Sequence, residues 1–292
     1  MKIAVIGATG QLGSDIVRAA RARGVETLAL NHAAADVRNP SALTRVLAPL
    51  GAGDIVVNTA ALHKTDEVES RAGDAVAVNT LGAFTVACAV AERGARCVYV
   101  STDYVFDGIK RTPYVESDAP NPVNVYGATK AAAEALVGWF ANSIVVRVSA
   151  LFGIAGSSGK GGNFVETMIA KARAGETPRV VNDIVTSPTS TADAAGLLLD
   201  LLGRDAPSGI YHLANEGSVS WREFADEIFA RCGLSVRAQP IHSRDFPAAA
   251  RRPPYSALAS ERLLPLGLRT RPWREALADY LRAKGHAPRA AP

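Results

Sequence analysis

The chain has 292 residues, of which 48% are apolar and 21% charged, and its formal net charge is +4. This length accommodates one large or two modest α/β domains, with a core large enough to need no disulfide or metal for stability. The positive residues are spread along the sequence, which argues against a nucleic-acid-binding protein. The three cysteines lack C-x-x-C spacing and the five histidines are isolated, so we predict neither disulfides nor a metal site.

The amino terminus carries only a short apolar run, which ends at Gly7. Such a run is too short for a secretory signal, and no apolar stretch of the sequence approaches the length of a membrane span. We therefore expect a cytoplasmic protein with no membrane partner.

Short apolar runs alternate with helical patterns through the first half of the chain. The runs predict strands over residues 3–6, 26–30, 54–58, 96–101 and 143–148. The patterns between them predict helices over residues 12–23, 40–50, 75–93 and 124–141. Regular alternation of this kind is typical of a parallel sheet with helices on both faces. The predicted fold class is therefore α/β, with a doubly wound, Rossmann-like parallel sheet.

The second half is less regular, and it begins with a glycine-rich run, 153–162, that suggests a functional or mobile loop. A helix is predicted to start in S-P-T-S-T-A-D, capped by Ser187 or Thr189. The other elements predicted here are strands over 178–181 and 209–214, helices over 163–174 and 220–231, and two helices between 251 and 281.

These elements suggest two domains. We assign residues 1–150, with 185–214 returning to them, to a dinucleotide-binding domain. The remaining segments, 151–184 and 215–292, are assigned to a smaller, interleaved C-terminal substrate-binding domain. Its tail after Lys284 is rich in proline and alanine and should be frayed.

The first predicted strand turns on three glycines, in G-A-T-G-Q-L-G, and a helix follows. Glycine adopts the positive φ angles of such a turn, and a backbone without Cβ lets a pyrophosphate approach closely. The free N–H groups and the dipole of the helix then bind the anion. The alternative is a tight turn without a ligand. We predict dinucleotide binding here, at Gly7, Gly10, Gln11, Leu12 and Gly13.

The end of the second strand bears on the choice of dinucleotide. An acidic residue there would bind the ribose 2′-hydroxyl of NAD, but here the strand ends Leu30-Asn31-His32. His32 or a nearby arginine could instead meet a 2′-phosphate, so NADPH is favoured and NADH stays an alternative. Asp36 and Val37 are predicted to lie beside the adenine, although Asp36 could equally be a turn residue.

Small residues follow the third strand, in V-V-N-T-A-A-L. A cofactor could lie flat across Ala60 and Ala61, although close packing between helix and strand explains them equally well. Asn79, in the next helix, could tie that helix to the strand edge or be a solvated polar residue.

Tyr126 and Lys130 stand at positions i and i+4 of a predicted helix, so both side chains project from one face. A nearby ammonium group lowers the pKa of a phenol, which is otherwise about 10. Thr102 ends a predicted strand, where ligands bind in such sheets. Together the three groups can give a proton to a carbonyl oxygen while a nicotinamide gives a hydride. A Tyr-x-x-x-Lys pair also arises by chance, so the prediction rests on its order after the glycine turn and S-T-D.

These motifs resemble the extended short-chain dehydrogenases/reductases and, within that superfamily, the dTDP-4-dehydrorhamnose reductase family. The resemblance runs nearly end to end and is most specific in S-T-D-Y-V-F-D-G with Y-G-A-T-K. The other segments that carry it are G-A-T-G-Q-L-G, V-N-T-A-A, N-F-V-E-T-M, S-P-T-S-T-A-D, G-I-Y-H-L-A and R-P-P-Y-S-A-L.

The resemblance implies reduction of the 4-keto group of a nucleotide-activated deoxysugar with NADPH or NADH. It implies that Tyr126 is the acid, that Lys130 is its activator, that Thr102 is the hydroxyl partner, and that Tyr126 and Lys130 also contact the cofactor. A homodimer is one option for the assembly. The residues that the resemblance places at the nucleotide-sugar are Thr102, Asp103, Asn163, Phe164, Ser187, Pro188, Thr189 and Arg252.

One position near the sugar departs from the family. The family commonly has a bulky aromatic residue after R-x-S, whereas here the run is R-V-S-A and Ala150 takes that place. The sugar that this chain accepts can therefore differ from dTDP-4-dehydrorhamnose, or another side chain fills the space.

Other activities stay open. A sugar-nucleotide 4-epimerase uses the same tyrosine and lysine, and relatives of the family serve as non-catalytic NADP-binding regulatory subunits. A 4,6-dehydratase is disfavoured, because Asp103 is followed by Tyr104 rather than by a second acid.

Overall fold

The computed structural model describes residues 1–155 and 162–286. Its strands are β1 (Lys2–Ile6), β2 (Glu26–Leu30), β3 (Ile55–Asn58), β4 (Arg96–Thr102), β5 (Ser143–Val148), β6 (Leu151–Phe152), β7 (Arg179–Val181), β8 (Val185–Thr186), β9 (Thr189–Ser190), β10 (Gly209–His212), β11 (Val219–Ser220) and β12 (Gln239–Ile241). Its α-helices are α1 (Gln11–Ala22), α2 (Pro40–Val46), α3 (Thr65–Ser70), α4 (Ala72–Ala75), α5 (Ala83–Ala91), α6 (Val125–Val137), α7 (Phe164–Arg173), α8 (Thr191–Gly203), α9 (Trp221–Arg231) and α10 (Trp273–Ala283).

Six parallel strands form the central sheet in the order β10-β5-β4-β3-β1-β2. The chain passes from β1 to β2 on one side and from β3 to β4 and β5 on the other. The strand order therefore reverses between β1 and β3, and ligands of such sheets bind at the carboxyl ends of the strands beside this point. The predicted α/β class and the doubly wound parallel sheet are confirmed.

Alternation of side chains along the strands fills a helical layer on each face of the sheet. Ile3 and Val5 of β1 pack in the cluster that holds α1 and α8. Ala4 and Ile6 of the same strand pack in the cluster that holds α2, α5 and α6. Because both faces are covered, the inner strands β1 and β3 are apolar along most of their length, which is why apolar runs predicted them well.

The later part of the chain builds a separate apolar cluster from α7, α9 and α10. Phe152, Phe224 and Trp273 form its centre, and each is at most 1% exposed. Three two-stranded sheets surround it, pairing β11 with β8, β12 with β7, and β6 with β9.

The helix predicted over 75–93 differs from the observed one. The observed helix runs from Ala72 to Ala91, and its middle, Val76–Gly82, is π-helical. Within the described residues this one helix is long and apolar enough to cross a membrane by length and composition, so the expectation that no stretch reaches that length is wrong. Half of its most apolar window is buried inside the protein.

Three smaller expectations differ from the structure, and two further predictions fall partly outside the described residues. Helix α3 was not predicted, because it is short and polar and buries only Val68. Helix α8 has Ser190 at its N-cap position, with no side-chain cap bond. The hydroxyls of the predicted caps Ser187 and Thr189 donate instead to the carbonyls of Gly217 and Ser187. Between 251 and 281 the structure has α10 and a 3₁₀ turn at Leu264–Leu266 in place of two helices. Residues 156–161 of the predicted glycine-rich loop and 287–292 of the predicted tail lie outside the described residues.

Candidate active site

A cavity of about 1250 Å³ opens at the carboxyl ends of the sheet strands. The first half of the chain lines it with the glycine turn, the segment after β3, the end of β4 and the start of α6. The second half lines it with α7, α9 and the segment 248–252. The cavity therefore lies between the central sheet and the later cluster, where an α/β fold is expected to bind its ligand.

The glycine turn forms one end of the cavity. Gly7 has a φ of +80°, and a Cβ there would lie 2.5 Å from Thr59 Oγ1. A Cβ on Gly13 would overlap the carbonyl of Gly7, so this close packing of turn and helix requires glycine. Helix α1 has Gly10 as its N-cap, with no side-chain cap and no acid in its first turn, which leaves its N–H groups available to an anion. All five glycine-turn residues predicted to bind the cofactor line the cavity.

Ala60 and Ala61 also line the cavity, as predicted. The π-helical stretch holds this segment through Asn79, which is fully buried. The Asn79 amide accepts from the Leu62 N–H at 2.8 Å and donates to the Leu62 carbonyl at 3.0 Å and to Thr129 Oγ1 at 3.1 Å. Asn79 therefore ties its helix to the segment after β3 and to α6, which agrees with the first of its two interpretations.

Asp36 and Val37 are not among the residues that line the cavity in the described chain. The Asp36 carboxylate accepts from the Arg38 guanidinium at 2.7 and 3.0 Å, which lowers the pKa of Asp36 to about 2. Val37 is buried and packs where a Cβ of Gly82 would lie. Local partners thus occupy both side chains.

Thr102, Tyr126 and Lys130 line the cavity together. Helix α6 has Asn124 as its N-cap, whose side chain accepts from the Gly127 N–H at 2.7 Å. Tyr126 is half-buried, and its hydroxyl lies close enough to that of Thr102 for Thr102 to lower its pKa. Lys130 is 2% exposed, and its Nζ donates to the Val100 carbonyl at 2.6 Å. The sequence spacing therefore brought all three predicted catalytic residues to one place.

The electrostatics of this group differ from the expectation that Lys130 lowers the pKa of Tyr126. Burial raises the pKa of Tyr126, the nearby Asp103 raises it further, and the bond to Thr102 only partly opposes them. Burial also lowers the pKa of Lys130 to about 7, against the attraction of Glu134. The amine is turned toward Val100 and the Tyr99 ring, whose centroid is 4.1 Å away, rather than toward the phenol.

Asp103 is a buried carboxylate in the wall of the cavity, with three hydroxyl donors. Thr102 Oγ1 lies 3.0 Å from its Oδ1, and Ser149 and Ser256 lie 3.0 and 2.5 Å from its Oδ2. Burial raises the pKa of Asp103 to about 6, and the three hydroxyls hold it down from a higher value. Ser149 and Ser256 were not predicted, although Ser256 stands in R-P-P-Y-S-A-L, one of the segments that carry the family resemblance.

Ser101 adds an unusual feature beside this cluster. Its hydroxyl is buried and has no hydrogen-bond partner among the described residues, and the residue lines the cavity. Buried polar groups are almost always paired, so the cavity offers an unused donor and acceptor at this point.

The predicted substrate residues of the second half have different surroundings. Phe164 lines the cavity and packs edge-on against Trp221, with ring centroids 4.7 Å apart. Asn163 also lines it, but its amide caps α7 and donates to the Gly153 carbonyl and the Tyr280 hydroxyl. Arg252 lines it with its guanidinium bound to Asp66. Ser187, Pro188 and Thr189 are not among the lining residues.

Four cations missed at the sequence level line the same part of the cavity: Lys171, Arg179, Arg244 and Arg251. Within the described residues, Arg179 and Arg251 have no carboxylate within 4.0 Å. These residues lie in separate segments, so no local motif announces them. They make this part of the cavity suited to a ligand with several negative charges.

Ala150 occupies the wall at the end of β5. Its φ is +41°, in the left-handed region that non-glycine residues rarely adopt. The small side chain of Ala150 leaves room at the position where the family described in the sequence analysis commonly has an aromatic ring. No group of three metal-ligating side chains occurs in the described ranges.

The sequence matches the family described as "RmlD substrate binding domain" over residues 1–285. It is 38% identical to a dTDP-4-dehydrorhamnose reductase of Mycobacterium tuberculosis, over 98% of this chain and 94% of that one. It is 36% identical to the spore coat polysaccharide biosynthesis protein SpsK of Bacillus subtilis, over 98% of this chain and 99% of that one.

This chain is also similar to a solved structure over nearly its whole length. The dTDP-4-dehydrorhamnose reductase of Bacillus anthracis, in complex with NADP, superposes with a TM-score of 0.90 at 34% identity, over 97% of this chain and all of that one. Sequence and fold agree, and the chain belongs to the dTDP-4-dehydrorhamnose reductase family.

Proposed function

We propose that this chain reduces the 4-keto group of dTDP-4-dehydrorhamnose to give dTDP-L-rhamnose, with NADPH as the preferred reductant. The names of its relatives and the NADP complex of the B. anthracis reductase support this reaction and cofactor. The observation that carries the proposal is that Thr102, Tyr126 and Lys130 line one cavity with the glycine turn.

The residues of the cavity fit a dinucleotide. The uncapped start of α1 suits a pyrophosphate, so we assign that role to Gly7, Gly10, Gln11, Leu12 and Gly13. The unpartnered Ser101 hydroxyl lies where a bound ligand could complete it. We place the nicotinamide side at Ala60, Ala61, Tyr126 and Lys130. When bound, the cofactor supplies the hydride to the carbonyl carbon.

The adenine side carries the choice between NADPH and NADH. We propose that Asp36 and Val37 border the adenine, where Arg38 offers a cation next to Asp36. An arginine there suits the 2′-phosphate of NADPH, and the end of β2 has no acid to bind a free 2′-hydroxyl.

Tyr126 is the proton donor of the proposed reaction. Its raised pKa keeps the phenol protonated at neutral pH, which an acid requires before it reacts. As hydride reaches the carbonyl carbon, the oxygen gains charge and takes the Tyr126 proton, so one hydride and one proton make the alcohol. Thr102 orients the phenol. In its ammonium form, Lys130 would stabilise the phenolate that remains, once the amine turns from the Val100 carbonyl toward the phenol.

The substrate is proposed to lie across the second half of the cavity. The cations Lys171, Arg179, Arg244 and Arg251 suit its diphosphate. Thr102 and Asp103 would face the sugar, with Phe164 and Asn163 as the wall beside it. Arg252 would contribute to this wall while bound to Asp66.

The test is turnover with purified protein, NADPH and dTDP-4-dehydrorhamnose, followed by NMR of the product. We expect loss of NADPH absorbance to match the dTDP-L-rhamnose formed, and none with dTDP-glucose, which has no ketone. Binding of NADPH without oxidation of it on any keto-deoxysugar nucleotide would identify a regulatory subunit instead. Interconversion of sugar epimers without net oxidation would identify an epimerase.

We also propose that residues 1–150 with 185–214 bind the cofactor, and that 151–184 with 215–292 bind the substrate. The position of β10 at the sheet edge and of α8 beside α1 supports the return of 185–214 to the first domain. A cytoplasmic location and a homodimer remain predictions, which cell fractionation and analytical ultracentrifugation would test.

A further inference from the structure

Helix α3 directly follows the segment that carries Ala60 and Ala61, and it presents two carboxylates one turn apart. Asp66 and Glu69 are both partly buried, and each bonds to a backbone N–H far away in the sequence. An i, i+3 pair on a helix faces one side, so both acids can act on the same neighbouring structure.

Asp66 holds the segment 250–252 at three points. Its carboxylate accepts from the Arg252 guanidinium at 2.6 and 2.7 Å and from the Ala250 N–H at 3.0 Å. Arg252 donates back to the Ala250 carbonyl at 2.8 Å. This bidentate geometry explains why the pKa of Asp66 is lowered to about 2. The ion pair therefore fixes the backbone of a segment that forms a wall of the cavity.

Arg252 also reaches toward the predicted acid. Its guanidinium lies close enough to the Tyr104 hydroxyl for the phenol to raise the pKa of Arg252. The Tyr104 ring packs edge-on against the Tyr126 ring, with centroids 6.1 Å apart and planes at 75°. Arg252 is therefore linked to the Tyr126 phenol through the Tyr104 ring, so a shift of Arg252 is expected to displace the phenol.

The start of α6 is held from the same side. Glu69 accepts from the Val125 N–H at 2.9 Å, in the first turn of the helix that carries Tyr126. Asn124, the N-cap of that helix, donates to the Arg251 carbonyl at 2.8 Å. Helix α3, the segment 250–252 and the start of α6 therefore form one hydrogen-bonded unit.

We propose that Asp66 is a positioning residue for the reaction, which acts through Arg252 to set Tyr126 and the wall 250–252 against the cofactor segment. Arg252 then supports this wall through its ion pair with Asp66 instead of binding the diphosphate of the substrate. The inference rests on the proposed function for the reaction that it affects, while the hydrogen-bonded unit itself can be measured without substrate.

The test uses three variants: Asp66→Asn, Arg252→Lys and the double variant that combines them. Asp74→Asn is the matched control. Asp74 pairs with Arg71 nearby, and both side chains are 55% exposed, so this control breaks an ion pair that holds nothing else. We expect Asp66→Asn to lower kcat/KM for the sugar nucleotide roughly 10- to 100-fold, as misplacement of reacting groups does. The Kd of NADPH should stay within about twofold of the wild-type value, because the glycine turn is untouched.

Two further readouts separate positioning from loss of folding. Hydrogen exchange of the Ala250 amide should become faster in ligand-free Asp66→Asn and stay unchanged in Asp74→Asn. The double variant should be no slower than the worse single variant, since each removes the same pair. Unchanged exchange at Ala250, additive losses, or normal kinetics below the melting transition would overturn the proposal. If the wild-type protein turns over no substrate, the proposed function fails, and the exchange data still decide whether Asp66 holds the wall.

Discussion

The Thr102 hydroxyl lies 3.0 Å from Asp103 Oδ1, and it also accepts from the Tyr104 N–H at 3.1 Å. A carboxylate has no proton to give, so Thr102 must donate to Asp103. Its only proton is then directed away from the substrate, and it can take part with Tyr126 only as an acceptor. This arrangement makes Thr102 an orienting group for the phenol rather than a second donor to the ketone.

Thr102→Val tests that role. The valine keeps the shape and removes the hydroxyl, so Tyr126 loses one partner while the substrate loses no donor. We expect kcat to fall roughly tenfold, the cost of one neutral hydrogen bond. Steady-state kinetics beside Tyr126→Phe would check this, and a loss as large as that of Tyr126→Phe would show that Thr102 does donate to the ketone.

Tyr126→Phe removes the proposed acid. We expect kcat to fall by roughly 10²- to 10⁴-fold, the usual contribution of a positioned acid. The phenylalanine ring still packs against Tyr104, so NADPH affinity and melting temperature should be close to those of the wild type. A fluorescence titration and a thermal scan provide these controls, and an unaltered kcat would mean that the proton comes from another group.

The raised pKa of Asp103 makes stability depend on pH. The pKa of the Asp103 carboxyl is about 6 in the folded protein, against an ordinary value of 3.8 for an aspartate. Between pH 3.8 and about 6 the folded protein therefore holds more protons than the unfolded chain. The resulting stabilisation is fully present below pH 3.8 and is lost as the pH rises through about 6. Relative to Asp103→Asn, the wild type should lose about 3 kcal/mol of unfolding free energy between pH 3.5 and 7 by this linkage. Urea unfolding of both proteins across that range measures it, and parallel curves would contradict the raised pKa.

The lowered pKa of Lys130 has an effect of the opposite sign. The pKa of the Lys130 amine is about 7 in the folded protein, against an ordinary value of 10.5 for a lysine. The folded protein then holds fewer protons between these values, so stability rises with pH in this window. Compared with Lys130→Met, the wild type should gain about 1 kcal/mol per pH unit from pH 7 to 9. Denaturant titrations at several pH values would check this, and the slope is expected to vanish if Lys130 stays charged.

The glycine turn offers a test of the cofactor site. Gly13→Ala places a Cβ on the Gly7 carbonyl, which has no room to move without opening the turn. We expect NADPH affinity to fall at least tenfold, measured by calorimetric titration. Gly73→Ala is the matched control, because a Cβ in that helix meets nothing within 4 Å and should leave binding unchanged. Equal affinities of the two variants would argue that the pyrophosphate lies elsewhere.

Local patterns predicted the sheet and the catalytic group well. The strands over 26–30 and 143–148 have the predicted bounds. The second is buried along its whole length, as its apolar run indicates, whereas the first is a partly exposed strand at the sheet edge. Tyr126 and Lys130 share a face because their spacing alone determines it. Contacts between distant segments left no such mark. Asp66 and Arg252 are 186 residues apart, and Asp103 and Ser256 are 153 apart.

The pKa of Tyr126 shows why composition and spacing could not complete the site. Proximity of Lys130 in the sequence predicted a lowered pKa, yet the value is raised because the fold buries the phenol beside Asp103. Burial is a property of the assembled layers, and a short motif carries no information on it.

The π-helical stretch Val76–Gly82 has a consequence for insertions and deletions. A π turn holds one residue more than an α turn, and Asn79 lies within it. Removing one residue there would let ordinary α-helical bonding resume while the two flanks keep nearly the same relative rotation, because a π segment accommodates one extra residue without turning its flanks. The nine residues of α5 should then keep their packing on the sheet, whereas Asn79 would be displaced from Leu62, so a one-residue deletion should break this tie and spare the core.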